Sequence, residues 1–163
     1  MTLVFTDVQG STTQWEMHPL VMEKALEMHD KVMRSHIEEF TGYEVKTEGD
    51  AFFISFERPE DAIRFCFKVQ VDLLKEEWAE DVFKHPDAKI EASPSGAVLY
   101  RGLRVRMGVH TGEPTCAKNP VTGGLPPPDT HTLFSLLLFF THLLPSFRSH
   151  GLLWPRGKQI CQD

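Results

Sequence analysis

Tyr43-Glu44-Val45-Lys46-Thr47-Glu48-Gly49-Asp50-Ala51-Phe52-Phe53 is the stretch that decides the fold. Two runs of β-forming residues, 43–47 and 51–56, meet at Glu48-Gly49, and that spacing predicts a hairpin. A helical pattern flanks the hairpin on each side. Upstream, from about His18, the residues Met22, Leu26, His29, Met33, Ile37 and Phe40 step by threes and fours onto one stripe, the mark of a helix with one buried face. Thr41-Gly42 ends it. Downstream, Pro59 opens a second helix with Glu60 and Asp61 in its first turn, and its stripe is Ala62, Cys66, Val69 and Leu73.

Further out, strands are expected over 2–6 and 103–109. In the latter, Leu103, Val105, Met107 and Val109 alternate with Arg104, Arg106 and Gly108, the period of a half-buried strand. The turn over 8–12 leads into a short helix that Ser11 or Thr12 is expected to cap, with Glu16 in its first turns. The segment 79–102, with Pro86, Pro94, Ser95 and Gly96, reads as a loop or protruding hairpin. The order is therefore strand, helix, strand, strand, helix, strand. That predicts an α/β (α+β) ferredoxin-like split βαβ fold: an antiparallel sheet with two helices on one face.

A length of 163 residues suits one domain of ordinary size. The net charge of −6, without a basic run, argues against nucleic acid as a partner. Cys66, Cys116 and Cys161 are odd in number and far apart, which suits a reduced, cytoplasmic setting. Met1 leads almost directly into a strand, without a basic n-region or apolar h-region. The longest apolar stretch, 133–144, is shorter than the roughly 20 residues of a membrane span. Membrane association is not evident, although the chain could be the cytosolic part of a membrane-associated protein.

The chain changes character after Gly124. In 125–163 only Asp129, Arg148, Arg156, Lys158 and Asp163 are charged, alanine and glutamate are absent, and Pro126-Pro127-Pro128 stands at the start. The expected division is a domain over 1–124 and a divergent tail over 125–163, disordered or aberrant. A partner-binding tail and translated non-coding sequence both fit that composition.

Chemistry concentrates on Asp7 and Asp50. Each lies beside a short apolar or β-branched run and near a glycine turn, so both should stand at strand ends on one edge of the sheet. A lone aspartate after a strand is more often a turn or cap residue. The pair, beside a Gly/Ser/Thr turn that opens a helix, suits divalent cations and a triphosphate. Two carboxylates so close would repel, and metal binding resolves that conflict. Lys46 is either a solvated strand lysine or a donor to a base edge. Arg106 is either a surface charge or a phosphate clamp. His29 and His110 read as structural.

Phe5-Thr6-Asp7-Val8-Gln9-Gly10-Ser11-Thr12, Lys46-Thr47-Glu48-Gly49-Asp50-Ala51-Phe52 and Val105-Arg106-Met107-Gly108-Val109-His110-Thr111-Gly112 together resemble the class III nucleotide cyclase catalytic domain. The stretches 113–116 (Glu-Pro-Thr-Cys) and 119–123 (Asn-Pro-Val-Thr-Gly) resemble fungal and kinetoplastid adenylate cyclases in particular. The resemblance covers about 2–123. It implies conversion of ATP to 3′,5′-cyclic AMP and pyrophosphate, as part of intracellular signalling, with two Mg²⁺ or Mn²⁺ ions at a dimer interface. Asp7 and Asp50 would be the catalytic metal ligands, with the Val8 carbonyl assisting. Val8, Gln9, Gly10, Ser11 and Thr12 would cradle phosphates, and Arg106 would contact them. Lys46 matches the adenine-selecting lysine, and Glu48 and Gly49 lie next to the substrate.

The family's following segment, roughly Asp-Tyr-Phe-Gly-Pro-x-Val-Asn-Arg-x-x-Arg-Val, and a later phosphate-binding lysine have no match after Gly123. The resemblance thus implies an incomplete domain, weakly active or inactive by itself. In the family the sites form between two subunits, so a homodimer of this chain would hold half-sites only. A pseudo-cyclase subunit that dimerises with an intact cyclase and modulates it is the alternative. Two-metal nucleotidyl transferases and diguanylate cyclases share the sheet and acid pair, but the lysine and last-strand motifs fit them poorly.

Overall fold

The structure, a computed structural model, describes residues 1–112. The expected domain end at 124 and the divergent tail over 125–163 lie outside the described residues. The elements are β1 (Thr2–Val8), α1 (Ser11–Met17), α2 (Pro19–Glu39), β2 (Tyr43–Glu48), β3 (Ala51–Phe56), α3 (Pro59–Leu73), a 3-10 turn (Glu80–Lys84), β4 (Glu91–Ala92), β5 (Val98–Tyr100) and β6 (Val105–Thr111). The main sheet runs β2-β3-β1-β6, with every pair antiparallel. This is the split βαβ arrangement that the order of elements predicts. The 79–102 segment contributes the 3-10 turn and the small β4–β5 hairpin.

The sheet separates its residues by alternation. Val4, Val8, Phe52, Ile54 and Phe56 face α2 and α3 and form the core with Met22, Met33, Phe65 and Val69. Phe56 and Phe65 pack with ring centroids 5.2 Å apart. Each fully buried phenylalanine contributes about 2–3 kcal/mol of transfer free energy. The expected stripes are close to the observed ones, with corrections. On α2 the buried set includes Ala25, Val32 and His36, while Leu26 and Phe40 are only partly buried. On α3 Phe65 takes the place given to Cys66, which is half-buried. Burial pushes the Cys66 thiol up to about 11, so it stays neutral at ordinary pH.

Three local expectations also need correction. β1 continues through Asp7 and Val8, because Val8 still pairs with Val105 across the sheet. The last strand is shifted to Val105–Thr111, and Val109 is exposed at the edge of the described sheet. Neither Ser11 nor Thr12 caps α1. Gly10 is the N-cap, at φ +67°, and no side chain makes a capping bond.

Helix α2 ends in a Schellman motif: Gly42 N–H donates to Ile37 O at 2.7 Å and Thr41 N–H to Glu38 O at 3.1 Å. The left-handed position falls on Thr41 (φ +55°), where glycine would be usual. The glycine is needed one residue later. A Cβ on Gly42 would lie 2.6 Å from the Phe56 ring.

Asp72 ties α3 to α2. It accepts from Lys68 at 2.5 Å, Lys75 at 2.8 Å and His36 Nε2 at 3.0 Å. The hydrogen bonds from Lys68 and then Lys75 hold its carboxyl down to about 2. A depressed carboxyl stabilises the fold above its unfolded value near 3.8 and loses that contribution as pH falls through about 2. Asp72→Asn is therefore expected to cost about 1 kcal/mol at pH 7, a modest figure because the lysines are solvent-screened. It should also flatten the acid limb of stability between about pH 4 and pH 2. Urea denaturation across pH checks both.

Candidate active site

The β2–β3 hairpin turns through Gly49 and Asp50, between the paired residues Glu48 and Ala51. Gly49 sits at φ +60°, the positive value that a two-residue turn demands at its first central position. Asp50 is thereby held at the end of β3, beside the end of β1. Its Oδ2 accepts the Val8 N–H at 3.0 Å, and the side chain is only 8% exposed. Asp7, one residue earlier on β1, is buried to a similar degree. The two carboxylates expected to share a site are thus joined through a single backbone amide. Thr6 supports the junction, because its hydroxyl accepts the Phe52 N–H at 3.2 Å. No sequence pattern marks Thr6 for that role.

Asp7 and Arg106 are Cα partners across β1 and β6, and the guanidinium pairs with the Asp7 carboxylate. Arg106 is therefore an ion-pair partner of Asp7 and not a plain surface charge. Beyond Val8 the chain turns over: Gln9 N–H donates to Arg104 O at 2.8 Å, Gly10 takes its left-handed conformation, and Ser11 and Thr12 begin α1. Gln14 N–H donates back to Gly10 O at 3.1 Å, and Gln14 Nε2 donates to Gln9 O at 3.0 Å.

Lys46 reaches its position through a bulge. The register passes from Glu44↔Ile54 to Lys46↔Phe53, so Val45 is the extra residue. Phe53 pairs in turn with Phe5, and their rings stack at 4.3 Å on the face away from the helices. Lys46 therefore shares that face with Phe5, Asp7 and Arg106. It pairs with Glu48, and both side chains are about half exposed. The preceding part of β2 is pinned to α2 by Arg34, which donates to Glu44 at 3.1 and 3.2 Å. Burial alone would raise the Glu44 carboxyl, but bonds from Arg34 and Thr47 outweigh it and hold it low. His29 is fully buried against Phe52, as the structural reading expects.

Asp7 and Asp50 offer hard oxygen donors with limited solvent access, a donor set that fits Mg²⁺ or Mn²⁺ better than a soft metal. Among the described residues, no cluster of three or more His, Cys, Asp and Glu side chains assembles a metal cage. The pair fits a cation whose coordination is completed by backbone, substrate or water oxygens. Among the described residues no helix is long and apolar enough to cross a membrane.

A split βαβ sheet that brings two buried carboxylates and a glycine turn to one end of its central strands is an arrangement that nucleotide cyclases share with other two-metal nucleotidyl transferases. The chain belongs to the adenylate and guanylate cyclase catalytic domain family, whose sequence model matches residues 1–119. It is 43% identical over 122 residues to an adenylate cyclase of Mycosarcoma maydis, covering 75% of this chain and 5% of that protein. To the receptor-type adenylate cyclase GRESAG 4.2 of Trypanosoma brucei brucei it is 34% identical over 143 residues, covering 76% of this chain and 25% of that protein. A solved structure of adenylate cyclases from Trypanosoma brucei in their monomeric state superposes with a TM-score of 0.64 at 31% identity. That match covers 76% of this chain and 60% of the other. The chain thus spans a small part of its curated relatives. Divalent metal use is general to the family.

Proposed function

We propose that this chain supplies the metal-binding half of an adenylate cyclase site, for use with ATP and two Mg²⁺ or Mn²⁺ ions. The Val8 N–H···Asp50 bond carries the reading, because it brings the Asp50 carboxylate to the residue that follows Asp7. Asp7 and Asp50, with the Val8 carbonyl, would hold the ions. Bound there, the ions would supply positive charge to the triphosphate and lower the pKa of the attacking 3′-hydroxyl. In the reaction that hydroxyl attacks the α-phosphate, loses its proton and releases pyrophosphate, giving 3′,5′-cyclic AMP. The turn of Val8, Gln9, Gly10, Ser11 and Thr12 would orient the phosphates. Arg106, a partner of Asp7, would share its charge with a phosphate oxygen.

Lys46, by its position in the Lys-Thr-Glu-Gly-Asp motif, would select adenine in the other half-site, the one whose metal ligands the partner supplies. Glu48 and Gly49 would border the substrate. The domain proper is proposed to run to about 124, with 125–163 as a separate divergent tail. Groups expected from the segment after Gly123 would come from a partner cyclase, so activity belongs to a heterodimer. The chain by itself would be weakly active or inactive, and a cytoplasmic setting follows from the nucleotide substrate.

The test is cyclic AMP formation from ATP with Mn²⁺, for the purified chain alone and mixed with an intact cyclase whose own metal acids are removed. Activity only in the mixture is the expected result. No activity in the mixture overturns the half-site, and full activity of the chain alone overturns the need for a partner.

A further inference from the structure

The 74–104 excursion reaches the turn at Gln9 and Gly10 through one side chain. Gln9 Nε2 donates to Asp87 Oδ1 at 2.6 Å. The other carboxylate oxygen lies against Gly10, where a Cβ would stand 2.3 Å from Asp87 Oδ2. Gly10 is at φ +67°, so this position excludes a side chain on two independent grounds, backbone conformation and space. A second tie comes from the same excursion, where Arg104 O accepts the Gln9 N–H at 2.8 Å.

The excursion can act as a support because its base is built into the core. Trp78, Val82 and Ala88 are buried. Trp78 Nε1 donates to Leu73 O at 2.9 Å, and its indole covers Gly102 so closely that a Cβ there would lie 2.2 Å away. Gly102 N–H donates to Ala88 O at 3.1 Å, and Ala88 N–H to His85 O at 3.0 Å. Asp87 itself is oriented by its own N–H, which donates to His85 Nδ1 at 3.2 Å. Asp87 thus projects from a base packed into the core onto a turn whose N-cap residue, Gly10, has no side chain to cap the helix.

We propose that Asp87 is a positioning residue for the ligand turn. By accepting from Gln9 and filling the space beside Gly10, it sets the path of the backbone from Val8 to the start of α1. A carboxylate touching a bound phosphate would repel it, so Asp87 acts through Gln9 and Gly10 and not as a ligand contact. The inference rests on the phosphate reading of this turn, and its test separates the two.

The measurement uses the full chain with Mn²⁺ and inorganic tripolyphosphate, followed by calorimetry, and with amide hydrogen exchange at Gln9 and Gln14 without ligand. Asp87→Ala is expected to speed exchange at both amides and to weaken tripolyphosphate binding, each about fivefold to tenfold. Asp87→Asn keeps an acceptor oxygen and should stay within about twofold of the wild type on both readouts. If Asp87→Ala does not fold, Gln9→Leu removes the donor alone and carries the same comparison. Unchanged exchange in Asp87→Ala, or an Asp87→Asn variant as impaired as Asp87→Ala, overturns the proposal. Tighter tripolyphosphate binding in both variants also overturns it, in favour of a carboxylate that opposes the ligand. A wild-type chain that binds no tripolyphosphate, but whose amides respond as expected, upholds the positioning role and removes the phosphate reading.

Discussion

Asp50→Asn is expected to lower Mn²⁺-dependent cyclic AMP formation in the complementing mixture by at least about 100-fold. It should leave the fold nearly untouched. Asparagine keeps a side-chain oxygen in the place where Asp50 Oδ2 accepts the Val8 N–H at 3.0 Å. The turn and its positive φ at Gly49 are unaffected. What disappears is a negative charge in a buried position, which a divalent cation needs and an amide oxygen replaces poorly. Asp7→Asn tests the same reading less cleanly, because it also disturbs the ion pair with Arg106. Mn²⁺ binding by paramagnetic resonance and the rate of the mixture should fall together, with thermal stability held. A rate within about threefold of the parent would remove Asp50 from the metal site.

Phe52→Ala should produce the largest loss of stability, about 3–5 kcal/mol by urea denaturation. Phe52 is 1% exposed and central to the layer between sheet and helices. Its ring meets His29 edge-on at 5.7 Å and lies 5.1 Å beneath the Arg34 guanidinium. Truncation removes those contacts and leaves a cavity under the end of α2, while the Phe52 N–H to Thr6 bond survives. Because Phe52 follows Asp50 by two residues, metal binding should weaken as the domain loosens. At temperatures where the variant is fully folded, that binding should recover. A cost below about 1 kcal/mol would mean that the core closes over the gap or that α2 is not held there.

Much of this architecture was legible from periodicity. The α2 stripe, the hairpin spacing and the alternation near 103–109 each follow from a repeat that a helix or a strand must have, and they yield the split βαβ order. The boundaries were less legible. β1 runs on through Asp7 and Val8 because its neighbours β3 and β6 continue to offer partners, and pairing of that kind is invisible in a local window. The cap of α1 is hidden from a local window for a similar reason. Ser11 and Thr12 have good capping chemistry, but Gln9 N–H is tied to Arg104 O and Gly10 takes the left-handed conformation at the N-cap, so the helix starts before either can cap it. Asp87 itself, 78 residues from Gln9 along the chain, carried no signal at all.

By itself, the sequence determined the class of fold and singled out the two acids proposed as metal ligands. Hydrophobic repeats and charged residues at strand ends are local properties, and they survive without knowledge of the partners. Tertiary structure alone decided how those groups face one another. A single extra residue at Val45 shifts the β2 register and turns Lys46 to the face that bears Asp7. Side chains alternate with a period of two, so one inserted residue reverses the face of all that follow. Likewise only the packed sheet could pair Asp7 with Arg106, 99 residues apart, and hang Asp50 on the Val8 amide. Such contacts depend on long-range register, which becomes definite only when the whole core has closed.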